Sequence, residues 1–392
     1  MKILHTSDWH LGHVLYNYDR REEQLSMLDQ ITALVREEQP DVFLLAGDVY
    51  DSTQPSASVQ TLFSDALTKI HEACPSMRII CIAGNHDSSS KLMIFHSPWE
   101  RMNVNMLGNV SREADLNDYI IKVGDKGYVV AVPYAADRNM PEDFFKRLSA
   151  QVGELNHSTQ LPVVLMAHLA VTGGDFKGHE NATEAMVGGI DCQSAEVFGE
   201  GYDYIALGHI HRTQFVHGTN HRARYCGTPI PVSFDEAMGD KEHGVSIVEL
   251  VQHGDMPSVR TVAIDNPWPL VNLPLEGFEE WETVRQQFEE FPDDIPAYIR
   301  LNVLVEGHLP VMANAEAQQI ASRKQCRFCL INAKRKVQPN QSNDIQMLTT
   351  TEFQKMTPAE VAKLYLEAKG EACDEDLMVL FNEVMKGLDD ED

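Results

Sequence analysis

Eight polar side chains of metal-binding type stand directly after short apolar stretches of the sequence. They are two carboxylates, one amide and five imidazoles: Asp8, His10, Asp48, Asn85, His86, His168, His209 and His211. In an extended segment, side chains two residues apart lie on the same face, so each Asp-x-His or His-x-His pair can reach one point. Oxygen and imidazole ligands without thiolates suit manganese, iron or zinc in a catalytic site better than a structural zinc. The pattern therefore predicts a catalytic metal centre.

Seven of these side chains, without His86, are enough for two divalent ions if one carboxylate is shared. Asp48 is the natural bridge, because its cluster lies between the others in the sequence. Two ions about 3.5–4 Å apart can hold a hydroxide and bind a phosphate for in-line attack. His86 is then free to stabilise developing charge or to protonate the leaving alkoxide. Asp87 or Asp51 could orient its imidazole.

The elements that position these residues are predicted from the apolar runs before them. Each run has the length and β-branched composition of a buried strand. The five runs are Lys2–Thr6, Asp41–Ala46, Arg78–Ala83, Pro162–Met166 and Tyr204–Leu207. Helical patterns lie between several of them, and alternating strands and helices predict an α/β fold with the polar loops at one sheet edge. Gly47 and Gly84 would let the chain turn tightly beside the ligands.

The first long helical pattern covers residues 20–39. Its apolar side chains recur at i, i+3 spacing and predict one buried face. They are Leu25, Leu28, Ile31 and Leu34. The segment that follows the first motif, Tyr16–Arg21, carries aromatic and basic side chains that could contact backbone phosphates. The alternative is an exposed loop that leads into the helix.

The 392 residues are too many for one small domain and predict two or three. We place a catalytic domain at residues 1–265 and a small α+β domain at 266–340. Within the second domain, helices are expected over 278–291 and near 313–323, and strands over 299–305 and 326–331. Residues 341–392 are expected to be a polar linker followed by two amphipathic helices. These helices either pack on their own domain or bind a partner protein.

The composition limits the class of protein. There is no apolar run close to the ~18 residues that cross a bilayer, and the N-terminal residues turn polar at once. A cytoplasmic protein with reduced cysteines is therefore expected. Lys and Arg number 32 against 59 Asp and Glu, a net charge of −27. A protein that binds nucleic acid unaided usually has a basic surface, so the charge taken alone argues against DNA as a partner.

The clusters together resemble the calcineurin-like metallophosphoesterase pattern. The matching segments, in order, are Asp8-Trp9-His10, Gly47-Asp48-Val49-Tyr50-Asp51, Gly84-Asn85-His86-Asp87, His168 and Gly208-His209-Ile210-His211. The N-terminal stretch Met1–Gly12 is similar to a narrower group, the SbcD family, the bacterial nuclease subunit of the SbcC–SbcD complex. The resemblance implies an α/β fold with a layered β-sandwich flanked by helices, a small capping domain and a C-terminal helical tail that docks an ATPase.

The resemblance also implies roles for the candidate residues. Asp8, His10, Asp48 and His211 would hold the first ion, and Asp48, Asn85, His168 and His209 the second. His86 would be the catalytic histidine, and the two ions would be Mn²⁺.

The implied activity is cleavage of DNA in repair and recombination, as an ATP-dependent double-strand exonuclease and a structure-specific endonuclease. The implied partners are double-stranded DNA and an SbcC-like ATPase of the SMC type, with this chain as a homodimer in a heterotetramer. Much of the DNA surface would then come from the ATPase, which answers the objection from charge.

Two other functions stay open on the residues alone. The same fold could serve a phosphomonoesterase or a cyclic-nucleotide phosphodiesterase. The about 125 residues that follow the catalytic domain argue against a simple phosphatase. A scaffold without enzymatic activity is the third possibility, and the complete ligand set argues against it.

Overall fold

Two six-stranded mixed sheets lie face to face and hold an apolar core between them. The computed structural model describes residues 1–136, 139–175, 193–236 and 243–336, and the account below is confined to these. The strands of the first sheet are β1 (Lys2–Thr6), β4 (Val42–Ala46), β5 (Arg78–Ile82), β6 (Val104–Leu107), β13 (Gly244–Glu249) and β14 (Ser258–Ala263). Their order is β14-β13-β1-β4-β5-β6. Strands β1, β4, β5 and β6 are parallel, and β13 and β14 are antiparallel additions at one edge.

The second sheet repeats the same plan. Its strands are β7 (Ile120–Val123), β8 (Gly127–Val132), β9 (Val163–His168), β10 (Tyr204–Gly208), β11 (Gln214–Phe215) and β12 (Ala223–Tyr225). Their order is β11-β12-β10-β9-β8-β7, with β8, β9, β10 and β12 parallel. The five runs predicted as strands are therefore β1, β4, β5, β9 and β10, each within two residues of its predicted bounds.

Burial on both faces explains why these strands read as continuous apolar runs. In β4, Val42, Leu44 and Ala46 belong to the core between the sheets, whereas Phe43 and Leu45 face the helices outside. Alternation has a period of two in a strand, so covering both faces requires apolar residues at every position. The α/β class follows from this layering of helix, sheet, sheet and helix.

Helices cover the outer face of each sheet. The first sheet carries α1 (Arg21–Glu38) and α2 (Ala57–Ala73), followed along the chain by the short α3 (Ser89–Leu92) and α4 (His96–Glu100); the second carries α5 (Phe144–Asn156). The predicted buried stripe of α1 is wrong at one position, because Leu25 is exposed. Gln24 is buried in its place, since its side chain is turned inward to bond the main chain of the His10–Gly12 loop.

A three-stranded sheet with its own apolar core follows residue 265. It contains β15 (Leu270–Leu273), β16 (Tyr298–Val305) and β17 (Arg327–Arg335), in the order β15-β16-β17, with helices α6 (Trp281–Glu290) and α7 (Ala313–Ala321). Helix α6 begins at Trp281, so Phe278 lies before the helix and not on its predicted stripe. A hairpin of β2 (Val14–Leu15) and β3 (Tyr18–Asp19) lies beside this sheet, where Leu15 and Tyr18 pack with Tyr298.

Two predictions about the chain are not tested by this architecture. The boundary at 265/266 stays a prediction, and the linker and helical tail placed at 341–392 lie outside the described residues. Within the described ranges, no helix is both long and apolar enough to span a bilayer.

Candidate metal centre

The C-terminal ends of β1, β4, β5, β9 and β10 bring all eight candidate side chains to one place. Main-chain contacts join these ends directly: Asp8 N–H donates to Gly47 O at 3.0 Å, and His10 N–H donates to Asp48 O at 3.1 Å. His209 N–H, which comes from the second sheet, donates to Asp8 Oδ1 at 3.1 Å. The predicted gathering of the loops at one edge is therefore present, and both sheets contribute to it.

Three side chains form a first group of possible ligands. Asp8, His10 and His211 each offer an atom within 4.8 Å of the others. His10 Nε2 lies 3.0 Å from His211 Nε2 and 3.8 Å from Asp48 Oδ2. All of these inward atoms have lone pairs that a cation could share.

A second group lies on the other side of Asp48. Asn85 Oδ1 is 3.0 Å from His168 Nε2 and also 3.0 Å from His209 Nδ1. His168 Nε2 lies 3.5 Å from Asp48 Oδ2, the same oxygen that faces His10. The two groups therefore meet at a single carboxylate oxygen.

His86 lies at the edge of both groups. Its ring is 4.9 Å from that of His10, centroid to centroid, and the main-chain N–H of His86 donates to Asp48 Oδ1 at 2.9 Å. His86 Nδ1 is 2.9 Å from the main-chain carbonyl oxygen of Asp51. Since a carbonyl only accepts, Nδ1 carries the proton and Nε2 is the second, differently placed nitrogen. Asp51 thus orients this ring through its main chain rather than its carboxylate.

Asp87, the other acid considered for orienting His86, has a different task. Its buried carboxylate accepts from the main-chain N–H groups of Val49 at 3.1 Å, Tyr50 at 2.9 Å and Gly84 at 2.8 Å. It therefore ties the loop after β4 to the loop after β5. Burial and the charge of Asp48 raise the pKa of Asp87 to about 6, although the three N–H groups act in the opposite direction.

The two predicted glycines are required by close approach. A Cβ on Gly47 would lie 2.2 Å from His168 Nδ1, and a Cβ on Gly84 would lie 2.1 Å from Asp48 Oδ1. Neither neighbour can withdraw, because each is a buried member of the cluster. Side chains at these two positions would therefore displace a candidate ligand.

Sequence comparison agrees with this geometry. Residues 1–213 match the family model of the calcineurin-like phosphoesterases. The chain is 32% identical over 305 residues to the SbcD subunit of the nuclease SbcCD from Rhodobacter capsulatus, covering 71% of this chain and 72% of that protein. The chain belongs to the SbcD family. The family membership expected from the motifs is thereby confirmed, and with it the α/β metallophosphoesterase fold with mixed sheets.

Other members of the SbcD family extend the likeness to the whole chain. The protein of the same name from Escherichia coli K12 is 28% identical over 313 residues, or 73% of this chain and 76% of that one. The one from Bacillus subtilis is 28% identical over 410 residues and covers both chains fully. Among solved structures, a dimetal phosphatase from Danio rerio aligns with a TM-score of 0.39 at 13% identity, over 67% of this chain and 98% of that one.

The buried imidazoles of this SbcD-family site are oriented in the way that cation ligands require. His168 Nδ1 lies 2.8 Å from the carbonyl oxygen of Ala46 and must donate to it, which directs Nε2 toward Asp48 and Asn85. Such an outer hydrogen bond fixes the tautomer of a metal-binding histidine. The donor set, its inward lone pairs and its outer partners fit divalent ions.

The local field also favours cations. Burial by itself lowers the pKa of His10, but the nearby carboxylates of Asp51, Asp48 and Asp8 outweigh it and raise the pKa to about 9. For His168, burial is again outweighed by Asp48, and the pKa is raised to about 9. Carboxylates that hold protons this strongly on neighbouring imidazoles attract a divalent cation for the same reason.

Backbone strain occurs in the metallophosphoesterase motifs. Four of the candidate residues have positive φ, a region that side chains other than glycine rarely adopt. They are Asp8 (φ 54°), His10 (φ 43°), Asp48 (φ 50°) and His209 (φ 96°). Such residues persist where the surrounding structure holds them, and they cluster at functional sites. The hydrogen bonds between the loops supply that support here.

Sequence reasoning missed three side chains that support the ligands. Glu236 Oε1 is 2.8 Å from His211 Nδ1. Gln24 donates to His10 O at 3.0 Å and accepts from Gly12 N–H at 3.1 Å. Ser7 Oγ donates to the Asp8 carboxylate. Gln24 and Glu236 are single polar residues outside any motif, and only Ser7 adjoins one, so their sequence context gave little signal.

One predicted phosphate contact is wrong in part. Arg20 is fully buried, and its guanidinium bonds Glu23 Oε1 at 3.1 Å and Pro231 O at 2.8 Å. It cannot reach a backbone phosphate without breaking this ion pair. Tyr16 and Arg21 are exposed, so the prediction stands only for them.

Proposed function

We propose that this chain is the nuclease subunit of an SbcC–SbcD complex and hydrolyses DNA phosphodiesters at a two-metal site. The observation that carries the proposal is the position of Asp48. Its Oδ2 lies 3.8 Å from His10 Nε2 and 3.5 Å from His168 Nε2, between the two ligand groups. The relatives named as SbcD subunits of the nuclease SbcCD support the choice of DNA as substrate.

The proposed ligand sets share this carboxylate. Asp8, His10, Asp48 and His211 would hold one ion, and Asp48, Asn85, His168 and His209 would hold the other. The mixture of oxygen and imidazole ligands suits Mn²⁺. When bound, the ions would lower the pKa of a water molecule and neutralise phosphate charge.

His86 is the proposed catalytic histidine. Its Nδ1–H is engaged by the Asp51 carbonyl, so Nε2 is the atom left to meet substrate. There a protonated imidazole can stabilise charge on the phosphate or give a proton to the leaving alkoxide.

The partners follow from family membership and from charge. We propose an SbcC-like ATPase and a homodimer of this chain, with ATP-dependent exonuclease action on double-stranded DNA and endonuclease action on particular DNA structures. With a net charge of −27, the chain alone binds duplex weakly, and the ATPase supplies most of the DNA surface. The segment 341–392 is proposed to dock the ATPase, and the complex is proposed to work in the cytoplasm.

A cleavage assay tests this proposal. The purified chain, with and without an SbcC-like ATPase, is given linear duplex DNA, DNA hairpins, a chromogenic phosphodiester and a chromogenic phosphomonoester, in Mn²⁺ or in EDTA. We expect Mn²⁺-dependent cleavage of DNA and of the phosphodiester, stimulation by the ATPase with ATP, and loss of cleavage in His86→Ala. Hydrolysis of the phosphomonoester alone would instead identify a phosphatase.

A further inference from the structure

Glu236 contacts Nδ1 of His211, the ring nitrogen that faces away from the candidate ligands. Its Oε1 lies 2.8 Å from His211 Nδ1, and its Oε2 accepts from Val232 N–H at 3.0 Å. The Glu236 side chain is only 7% exposed, so water competes little for these bonds. With Nδ1 engaged, His211 presents Nε2 to the cluster, 3.0 Å from His10 Nε2.

The segment that carries Glu236 is anchored from two sides. Arg20, just before α1, donates to Pro231 O at 2.8 Å. Arg300, on β16 of the three-stranded sheet, donates to the Asp235 carboxylate at 2.7 Å, and its guanidinium lies 5.1 Å from the ring centroid of Phe234. The Glu236 carboxylate is thus held in place before any ion is bound, and this removes part of the entropic cost of orienting His211.

Carboxylates lie behind both imidazoles proposed for the first ion, whereas a main-chain carbonyl lies behind His168 in the other group. His211 has Glu236, and His10 Nδ1 lies 3.6 Å from Asp51 Oδ1. The outer nitrogen of His168, in the other group, donates to a neutral main-chain carbonyl. A carboxylate increases the basicity of a ligand imidazole more than a carbonyl does, so His10 and His211 have stronger outer partners than His168.

We infer that Glu236 is a positioning residue that orients His211 and tightens the ion held by Asp8, His10, Asp48 and His211. The three-stranded sheet contributes to its placement, because Arg300 donates to the carboxylate of the neighbouring Asp235. This inference rests on the proposed two-metal site and adds a residue to it.

Calorimetric titration of the metal-free full-length chain with Mn²⁺ tests the role of Glu236. For wild type we expect two ions. In Glu236→Ala, one ion should bind 10- to 100-fold more weakly while the affinity of the other stays within twofold. The affinity of that ion in Glu236→Gln should lie between those of wild type and Glu236→Ala. The new amide oxygen can accept from His211 Nδ1–H, but the amide NH₂ group cannot accept from Val232 N–H. Glu113→Ala, at an exposed glutamate, is the matched control and should bind both ions as wild type does.

The outcomes separate the inference from the function on which it rests. Fewer than two ions in wild type would overturn the two-metal proposal itself. Two ions in wild type with unchanged affinities in Glu236→Ala would overturn the positioning role, and so would equal weakening of both ions. If circular dichroism shows that Glu236→Ala does not fold, Glu236→Gln decides: selective weakening of one ion supports the role, and any other result rejects it.

Discussion

His168 Nε2 lies 3.5 Å from Asp48 Oδ2, although the two residues belong to different sheets of the sandwich. Asp48 follows β4 in the first sheet, and His168 ends β9 in the second. The apolar core between the sheets therefore sets the spacing of the candidate ligands. Any change in how the sheets pack would therefore alter the distances within the candidate metal centre.

Asp48→Asn is expected to remove both ions rather than one. The amide keeps the size of the side chain but loses the charge that faces His10 and His168. We expect Mn²⁺ affinity to fall by more than about 100-fold at both sites, beyond the effect of losing a supporting group. Metal content after dialysis measures this. The control is Asp29→Asn, at an exposed carboxylate paired with Lys69, which should keep both ions.

Gly84→Ala should damage the site through a steric clash. The new Cβ would lie 2.1 Å from Asp48 Oδ1, so the strand ends must separate, at a cost of about 1–3 kcal/mol. Denaturant unfolding should show a lower free energy of unfolding, and metal titration should show weaker Mn²⁺ binding. Gly153→Ala, in α5 with open space around it, should instead stabilise the chain by about 0.5–1 kcal/mol. Equal stability of the two variants would contradict the close approach at Gly84.

Arg20→Met and Arg21→Met separate a structural arginine from an exposed one. Loss of Arg20 leaves Glu23 as a buried charge without its cation, which costs about 3–5 kcal/mol. Arg21 is exposed, and its loss should change the free energy of unfolding by less than about 0.5 kcal/mol. Urea unfolding of both variants checks this. If Arg20→Met proves as stable as wild type, the buried ion pair has no structural role.

Acid should destabilise the chain through His5. Burial, and then the charge of Arg224, lower the pKa of His5 to about 3. The unfolded chain takes up this proton near pH 6.5 and the folded chain does not, so stability is full above pH 6.5 and falls as pH drops toward 3. The expected slope is about 1.4 kcal/mol per pH unit. Unfolding in EDTA at pH 6.5, 5.5 and 4.5 should show a shallower slope for His5→Asn than for wild type, whatever the variant's absolute stability.

Much of the site could be predicted because strand ends and ligand types are local features. Apolar runs before Asp8, Asp48 and His168 place each residue at the end of a buried strand, and parallel neighbours then bring the ends together. The support for the ligands is not local. Glu236 meets His211 from a segment that Arg20 and Arg300 contact, and no spacing in the sequence encodes that arrangement.

The wrong predictions for Leu25 and Arg20 also result from tertiary contacts that the local sequence does not show. The i, i+3 spacing placed Leu25 in the core, but a tertiary hydrogen bond draws Gln24 inward and turns Leu25 to the surface. Arg20 looked like a surface cation beside a nuclease site, but its partner Glu23 lies three residues along the same segment and is equally buried. The sequence shows that a residue is charged, but it does not show whether a buried residue of opposite charge pairs with it.

The order of the strands also bears on how the molecule is made. Asp8 precedes His211 by more than two hundred residues along the chain, and β13, the antiparallel neighbour of β1, comes later still. A nascent or prematurely terminated chain therefore holds acids and imidazoles but no complete centre. The candidate centre can therefore assemble only after strands of both sheets have been synthesised.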